Sequence, residues 1–128
     1  MSIENICCSL EYAKKLKKIG FKKESLFSFF IDKQFEKPYI LQTEFYQHLS
    51  NVHIYSAFTA SELINILPCS LEYEKEKYFL NISKINISYK SSYVSFEYED
   101  EIPYDCIEDK SLENSLAQLL IYIIEQKL

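Results

Sequence analysis

The side chains best able to do chemistry gather in one stretch: Glu97, Glu99, Asp100, Glu101, Asp105, Glu108, Asp109 and Glu113, with Lys110 the single base among them. Carboxylates this close together can chelate calcium or magnesium, or act as an acid and base pair. A calcium loop, however, needs alternating ligands and a glycine at its tight turn, and here Pro103 and Tyr104 interrupt a glycine-free segment. An acidic hairpin edge gives the same pattern, since charge on an edge strand keeps sheets from pairing with one another. The functional use that remains is a negative face, made by Glu97, Glu99, Asp100, Glu101, Asp105, Glu108 and Asp109. Such a face suits a partner protein with a basic surface, because complementary charge speeds encounter and selects partners.

Cys7, Cys8, Cys69 and Cys106, with His48 and His53, supply the ligand types that zinc prefers. They contain no CxxC pair, and adjacent Cys7 and Cys8 are poorly placed to hold one tetrahedral ion together. Free cysteines of a reducing compartment ordinarily behave as small buried hydrophobes, which is the role expected here. No Ser, Cys or Asp neighbour of His48 in sequence forms a recognisable catalytic set with it. With one glycine in the chain, phosphate-cradling loops and dinucleotide fingerprints are excluded. No catalytic residue, metal site or cofactor is assigned, and a protein that is not an enzyme is expected.

Charge narrows the partners. All 14 basic residues are lysine, so the guanidinium fork that reads phosphate or guanine bidentately is missing. A net charge of −5 further opposes nucleic acid. Lys14, Lys15, Lys17, Lys18, Lys22 and Lys23 crowd one stretch, which reads first as a solvated helix face with cations near its C-terminus. The opening MSIENICCSL has Glu4 and no apolar run of leader type, and residues 119–124, the longest apolar run, fall far short of the ~20 needed to span a bilayer. The expectation is a cytoplasmic protein with no membrane contact; the sequence leaves its oligomeric state open.

The element that must position these groups is the last, residues 111–128. Leu112, Leu116, Leu119, Leu120, Ile123 and Ile124 recur at three and four residues and line one side of an α-helix. Ser111 is placed to cap it, and Glu113 sits where the helix dipole favours a carboxylate. A helix this apolar calls for a sheet lying across it. Upstream, residues 9–19 predict a helix capped by Ser9, with Leu10, Tyr12, Ala13, Leu16 and Ile19 on its buried side. It stops at Gly20, beyond which Phe21 can contact Leu16 in the Schellman manner. Residues 26–31 and 38–41 predict a hairpin joined by 32–37, with Pro38 at its start or edge. A short helix over 43–49 capped by Thr43, and a brief extended link over 52–55, follow. Thr59 and Glu62 form a capping box that opens a helix running to Leu67, where Pro68 stops it.

Residues 78–98 carry the main sheet signal. Tyr78, Leu80 and Ile82, then Ile85, Ile87 and Tyr89, then Val94, Phe96 and Tyr98 each alternate with other residues, and the apolar phase flips between Ile82 and Ile85. That flip predicts a bulge or turn near Ser83 and Lys84. The reversal is expected at 90–92, giving a long bulged hairpin, with a three-stranded meander as the alternative; a strand around 104–107 leads into the last helix. The pentapeptide CSLEY occurs at 8–12 and 69–73, but its flanks do not correspond, so it marks no duplication. Residues 1–128 are thus read as one α+β domain: an antiparallel sheet of four or five strands packed against a long C-terminal helix, with two or three shorter helices.

Three stretches together resemble a known family: CSLEYAKKLKKIGFKKESLF at 8–27, TASELINILP at 59–68 and SLAQLLIYIIEQKL at 115–128. They are similar to small proteins of unknown function found in phage and prophage regions of bacterial genomes, in matching order over most of the chain. The resemblance implies an accessory phage-type cytosolic protein of α+β character, and it brings no activity, cofactor or site residue. The hairpin departs from it, since 85–92 lacks the glycine turn and the tryptophans of those relatives. The function expected is a non-enzymatic protein-binding module that inhibits a host protein, such as a defence nuclease, through an acidic, Tyr-rich surface. The alternatives are an immunity protein neutralising a basic toxin, a small enzyme or metal protein built on the Cys and His residues or the acidic run, and a structural component of a virion.

Overall fold

The structure, a computed structural model, describes residues 5–31, 38–43, 53–97 and 100–128. Helix α1 (Leu10–Lys18) turns Ala13 and Leu16 inward and ends as its glycine requires. Gly20 takes φ +90°, a conformation that side chains disfavour. Its N–H donates to the Lys17 carbonyl at 3.1 Å and that of Phe21 to the Leu16 carbonyl at 3.0 Å, the paired bonds of a Schellman turn. Phe21 then meets Phe58 edge-on, ring centroids 5.6 Å apart. The other end departs from expectation. Ser9 occupies the N-cap position, but its hydroxyl makes no cap bond and is buried without a partner among the described residues. The chain is held there instead by the Ser9 N–H, which donates to Asn114 Oδ1 at 2.7 Å.

Strand β1 (Phe27–Ile31) is flanked by β2 (Tyr39–Gln42) and β3 (His53–Ser56), both antiparallel to it. The expected hairpin is therefore present. Residues 53–56, overlapping the extended link expected over 52–55, form a third strand whose four residues are too few to show a period. The expected helix over 43–49 and His48 lie, beyond Thr43, outside the described residues, as does the connection 32–37. Thr43 itself ties strand to loop. Its hydroxyl donates to the Ser25 carbonyl at 2.8 Å, leaving Ser28 to donate to it at 2.6 Å.

Helix α2 (Ala60–Ile66) opens on the expected capping box, with the Glu62 N–H donating to Thr59 Oγ1 at 3.2 Å and the Thr59 N–H to Glu62 Oε1 at 2.9 Å. The same carboxylate reaches out of the helix. It accepts from the Ser25 hydroxyl at 2.7 Å and the Leu26 N–H at 3.0 Å, which anchors the approach to β1. Burial opposes ionisation of Glu62, yet these three donors, with the Thr59 hydroxyl at 3.2 Å, outweigh it and hold the carboxyl below the usual carboxylate range. A folded pKa below the unfolded one stabilises above the unfolded value and loses that contribution as pH falls through the folded one. Glu62→Gln should therefore cost about 1 kcal/mol at pH 7, discounted for partial exposure, and flatten the loss of stability below about pH 4. Urea melts of both proteins at pH 7 and pH 3 check this; parallel pH profiles would contradict it.

The remaining strands form a second antiparallel sheet in the order β4 (Ser70–Tyr73), β5 (Glu76–Ile85), β6 (Ser88–Val94), β7 (Glu101–Asp109). Glu74 and Lys75, at φ 50° and 67°, make the two-residue turn from β4 to β5. CSLEY starts a helix at 8–12 and supplies a strand at 69–73, so surroundings override the pentapeptide. Two expectations are corrected here. The β5–β6 reversal lies at Asn86, φ 56°, and Ile87, because Asn tolerates the left-handed conformation; residues 90–92 lie within β6. Nor is there a break at Ser83 and Lys84. The strand runs straight through, and Ile82 and Ile85 point to opposite faces near the hairpin tip, 36% and 47% exposed. β7 is longer than the strand expected over 104–107, and its pairing with β6 shifts register between Ser91 and Tyr93.

Helix α3 (Leu112–Gln126) is the centre of the packing. Ser111 caps it as expected, accepting from the Asn114 N–H at 3.1 Å and donating to Glu113 at 3.0 Å. Of the predicted stripe, Leu116, Leu119, Leu120 and Ile123 are buried and Leu112 and Ile124 are half-buried against the core; Ser115, Ala117 and Ile121 are buried as well, since α3 lies between β6 and β7 on one side and α1 and α2 on the other. Close approach to the sheet depends on small side chains. Ser91 lies 2.8 Å from the Ser115 hydroxyl, which in turn donates to the Ile107 carbonyl at 2.9 Å. The α+β architecture expected from the sequence is thus present, its four-stranded sheet covered by the long last helix. Among the described residues no helix is long and apolar enough to cross a membrane.

Candidate functional site

The structure divides the acidic run between two places. Asp100 and Glu101 stand where β7 begins, with Glu97 in the turn that leaves β6, and the Ser95 N–H closes this reversal by donating to the Asp100 carbonyl at 2.9 Å. Glu108 and Asp109 end the same nine-residue strand, so roughly 25 Å separates the two groups. Asp105 lies on β7 between them, and Glu99 is outside the described residues.

The far group has structural work. Asp109 accepts from the Ser111 N–H at 2.9 Å and from Gln118 Nε2 at 3.0 Å. With Glu113 it places negative charge at the start of α3, where the helix dipole rewards it. Glu108 stands opposite Lys90 across the β6–β7 ladder, a pairing of opposite charges that favours the register.

The near group has company that sequence alternation missed. Val94 and Phe96 fall in the apolar phase of 93–98, which reads as core. The register inverts this: Ser91, Tyr93 and Ser95 are buried beneath α3, Ser92 is buried too, and Phe96 is 76% exposed. Serine size is the reason, since α3 can approach β6 only where its side chains are small. On the opposite face Val94 pairs with Phe79 and with Glu101, and the Phe96 ring rests on Phe79 at a centroid distance of 5.2 Å. Lys77 Nζ sits 5.4 Å from the Phe79 ring centroid. Tyr104, 89% exposed, follows three residues after Glu101. Two phenylalanines in tilted ring contact, bordered by Glu97, Asp100 and Glu101, form an apolar anchor with a negative rim on the solvent side of the sheet. The signal in sequence was Ser91 and Ser95, one on each side of Tyr93 at a spacing of two, which mark the close-packed phase.

Among the described residues no group of three or more His, Cys, Asp and Glu is placed to hold a metal ion, and none of the four cysteines is joined in a disulfide. Burial pushes the Cys7 thiol up to about 12, helped by the charges of Cys8, Glu62 and Glu113, and the Cys8 thiol up to about 11. Thiols this protonated are poor nucleophiles. Because the unfolded thiols lose their protons from about pH 8.5, before the folded ones do, stability should fall as pH rises above that value. In the native protein a thiol reagent should modify exposed Cys69 first and reach Cys7 and Cys8 only on unfolding. Mass-spectrometric mapping of timed labelling checks this, and early labelling at Cys7 or Cys8 would contradict it.

Comparison with protein-family models, with curated proteins and with solved structures finds no match for the chain.

Proposed function

We propose that the protein is a non-enzymatic, cytoplasmic accessory protein of phage type that binds a host protein and inhibits it, docking through the solvent face of the four-stranded sheet at its β6–β7 end. One observation carries this reading: Phe96, 76% exposed, is propped on Phe79 beside Glu97, Asp100 and Glu101. A protruding aromatic side chain costs free energy in water, and interface hot spots pair such anchors with a polar rim that excludes solvent. The negative rim suits a basic partner surface, consistent with the net charge of −5. The acidic surface read from sequence is retained in this reading for Glu97, Asp100 and Glu101, whereas Asp109 serves the fold.

The experiment is capture of partners from host lysate on immobilised wild-type protein and on Phe96→Ala and Glu101→Lys variants, with melting curves for all three. A discrete wild-type partner should be lost from both variants while their melting curves stay in place, and binding should weaken with salt. Recovery of the same protein by all three, or of nothing above background by the wild type, would sink the proposal.

A further inference from the structure

We infer that the cleft between α1 and the three-stranded sheet is a binding site for a small organic anion, a phosphate or carboxylate carried on an aromatic or apolar body. The cleft is open and about 580 Å³ in volume, within the roughly 300–1,000 Å³ typical of small-molecule sites. Its wall is apolar, formed by Leu16, Phe21 and Phe58, the last two in edge-on ring contact. Its polar groups converge from separate elements: Ser28 from β1, Ser56 from β3 and Thr43 after β2. Ser56 Oγ accepts from the Ser25 N–H at 3.3 Å, which leaves its own proton for a ligand.

The charge at the cleft runs against that of the whole protein. Lys17, Lys22 and Lys23 line it against the single carboxylate of Glu24, in a chain of net charge −5. Lys17 is fixed, donating to the Ile54 carbonyl at 2.9 Å with its ammonium 4.9 Å from the Tyr55 ring centroid. Lys22 and Lys23 are exposed, and neither is held by a bond to another described residue. The dipole of α1 favours cations in its last turn and fades beyond it, so it explains Lys15 and Lys18 but not Lys22 and Lys23, which lie past the Schellman turn. The rim at Gly20 is open space, as a Cβ built there meets nothing within 4 Å. Lysines without arginine suit a compact anion met as a point charge, and the phenylalanine wall suits an apolar body attached to it.

The test is an amide-shift titration of the full chain with three probes: phenyl phosphate, benzoate and inorganic phosphate. Phenyl phosphate or benzoate should shift Lys22, Lys23 and Ser56 saturably, and whichever binds tighter identifies the anion. Inorganic phosphate, lacking the apolar body, should bind about tenfold more weakly or worse. The double variant Lys22→Ala/Lys23→Ala should lose about tenfold in affinity for the aryl anion with its melting curve unchanged, since both side chains are exposed. Absence of saturable shifts with both aryl anions, equal affinity for inorganic phosphate, or full affinity in the double variant would each overturn the inference. Docking at the Phe96 face is independent of this result.

Discussion

Replacing Leu119 by Ala lowers the stability of the protein by about 2–5 kcal/mol, the range for truncating a fully enclosed leucine. Leu119 has no exposed surface and lies one turn beyond Ser115, whose hydroxyl is bonded into the sheet, so its side chain faces β6 and β7. The rigid Ser91–Ser115 seam limits how far the helix can settle into the space left behind, which puts the cost toward the upper part of that range. At about 3–5 °C per kcal/mol for a chain of this size, thermal melting resolves the change easily. An unaltered melting curve would mean that α3 does not lie on the four-stranded sheet.

Tyr93→Ala is expected to cost about 3–5 kcal/mol, and Tyr93→Phe about 1–2 kcal/mol. Tyr93 is among the largest fully buried side chains, and its hydroxyl donates to the Pro68 carbonyl at 2.6 Å, joining β6 to the end of α2. The alanine variant removes both the packing and the bond, and the phenylalanine variant removes the bond alone. The gap between the two in urea unfolding therefore measures the ring by itself. Burial also holds the phenol well above its ordinary range. The unfolded phenol ionises first above about pH 10, so wild type should lose stability there more steeply than Tyr93→Phe. Equal costs for the two substitutions would show that the ring is not packed as described.

Local signals read well wherever a few residues decide the outcome alone. Gly20 with Phe21, Thr59 with Glu62, and Ser111 ahead of the apolar stripe each specify a helix end through bonds within about five residues, and each is made. Long-range choices were hidden. The seam of Ser91 and Ser115 depends on residues 24 apart meeting, and serines in a sequence look like turn residues until a helix lies on them. For the same reason the alternation at 94–98 did not mark Phe96 as exposed. Alternation says that two faces differ but not which one is covered, and here close packing of the helix, not side-chain hydrophobicity, made the choice. The acidic run was legible as charge. Its division into a helix-capping pair and a rim around Phe96 depended on the length of β7, which its Pro103 and charged residues concealed.

The Phe96 end of the sheet is the surface we propose to meet a partner. The most direct measurement is photo-crosslinking in the producing cells, with Phe96→p-benzoylphenylalanine compared against Ile87→p-benzoylphenylalanine at the opposite hairpin end, where Ile87 is 69% exposed. A discrete crosslinked product from position 96, absent from position 87 and suppressed by Glu101→Lys, is the predicted result. Equal products from both positions, or none from position 96, would contradict it.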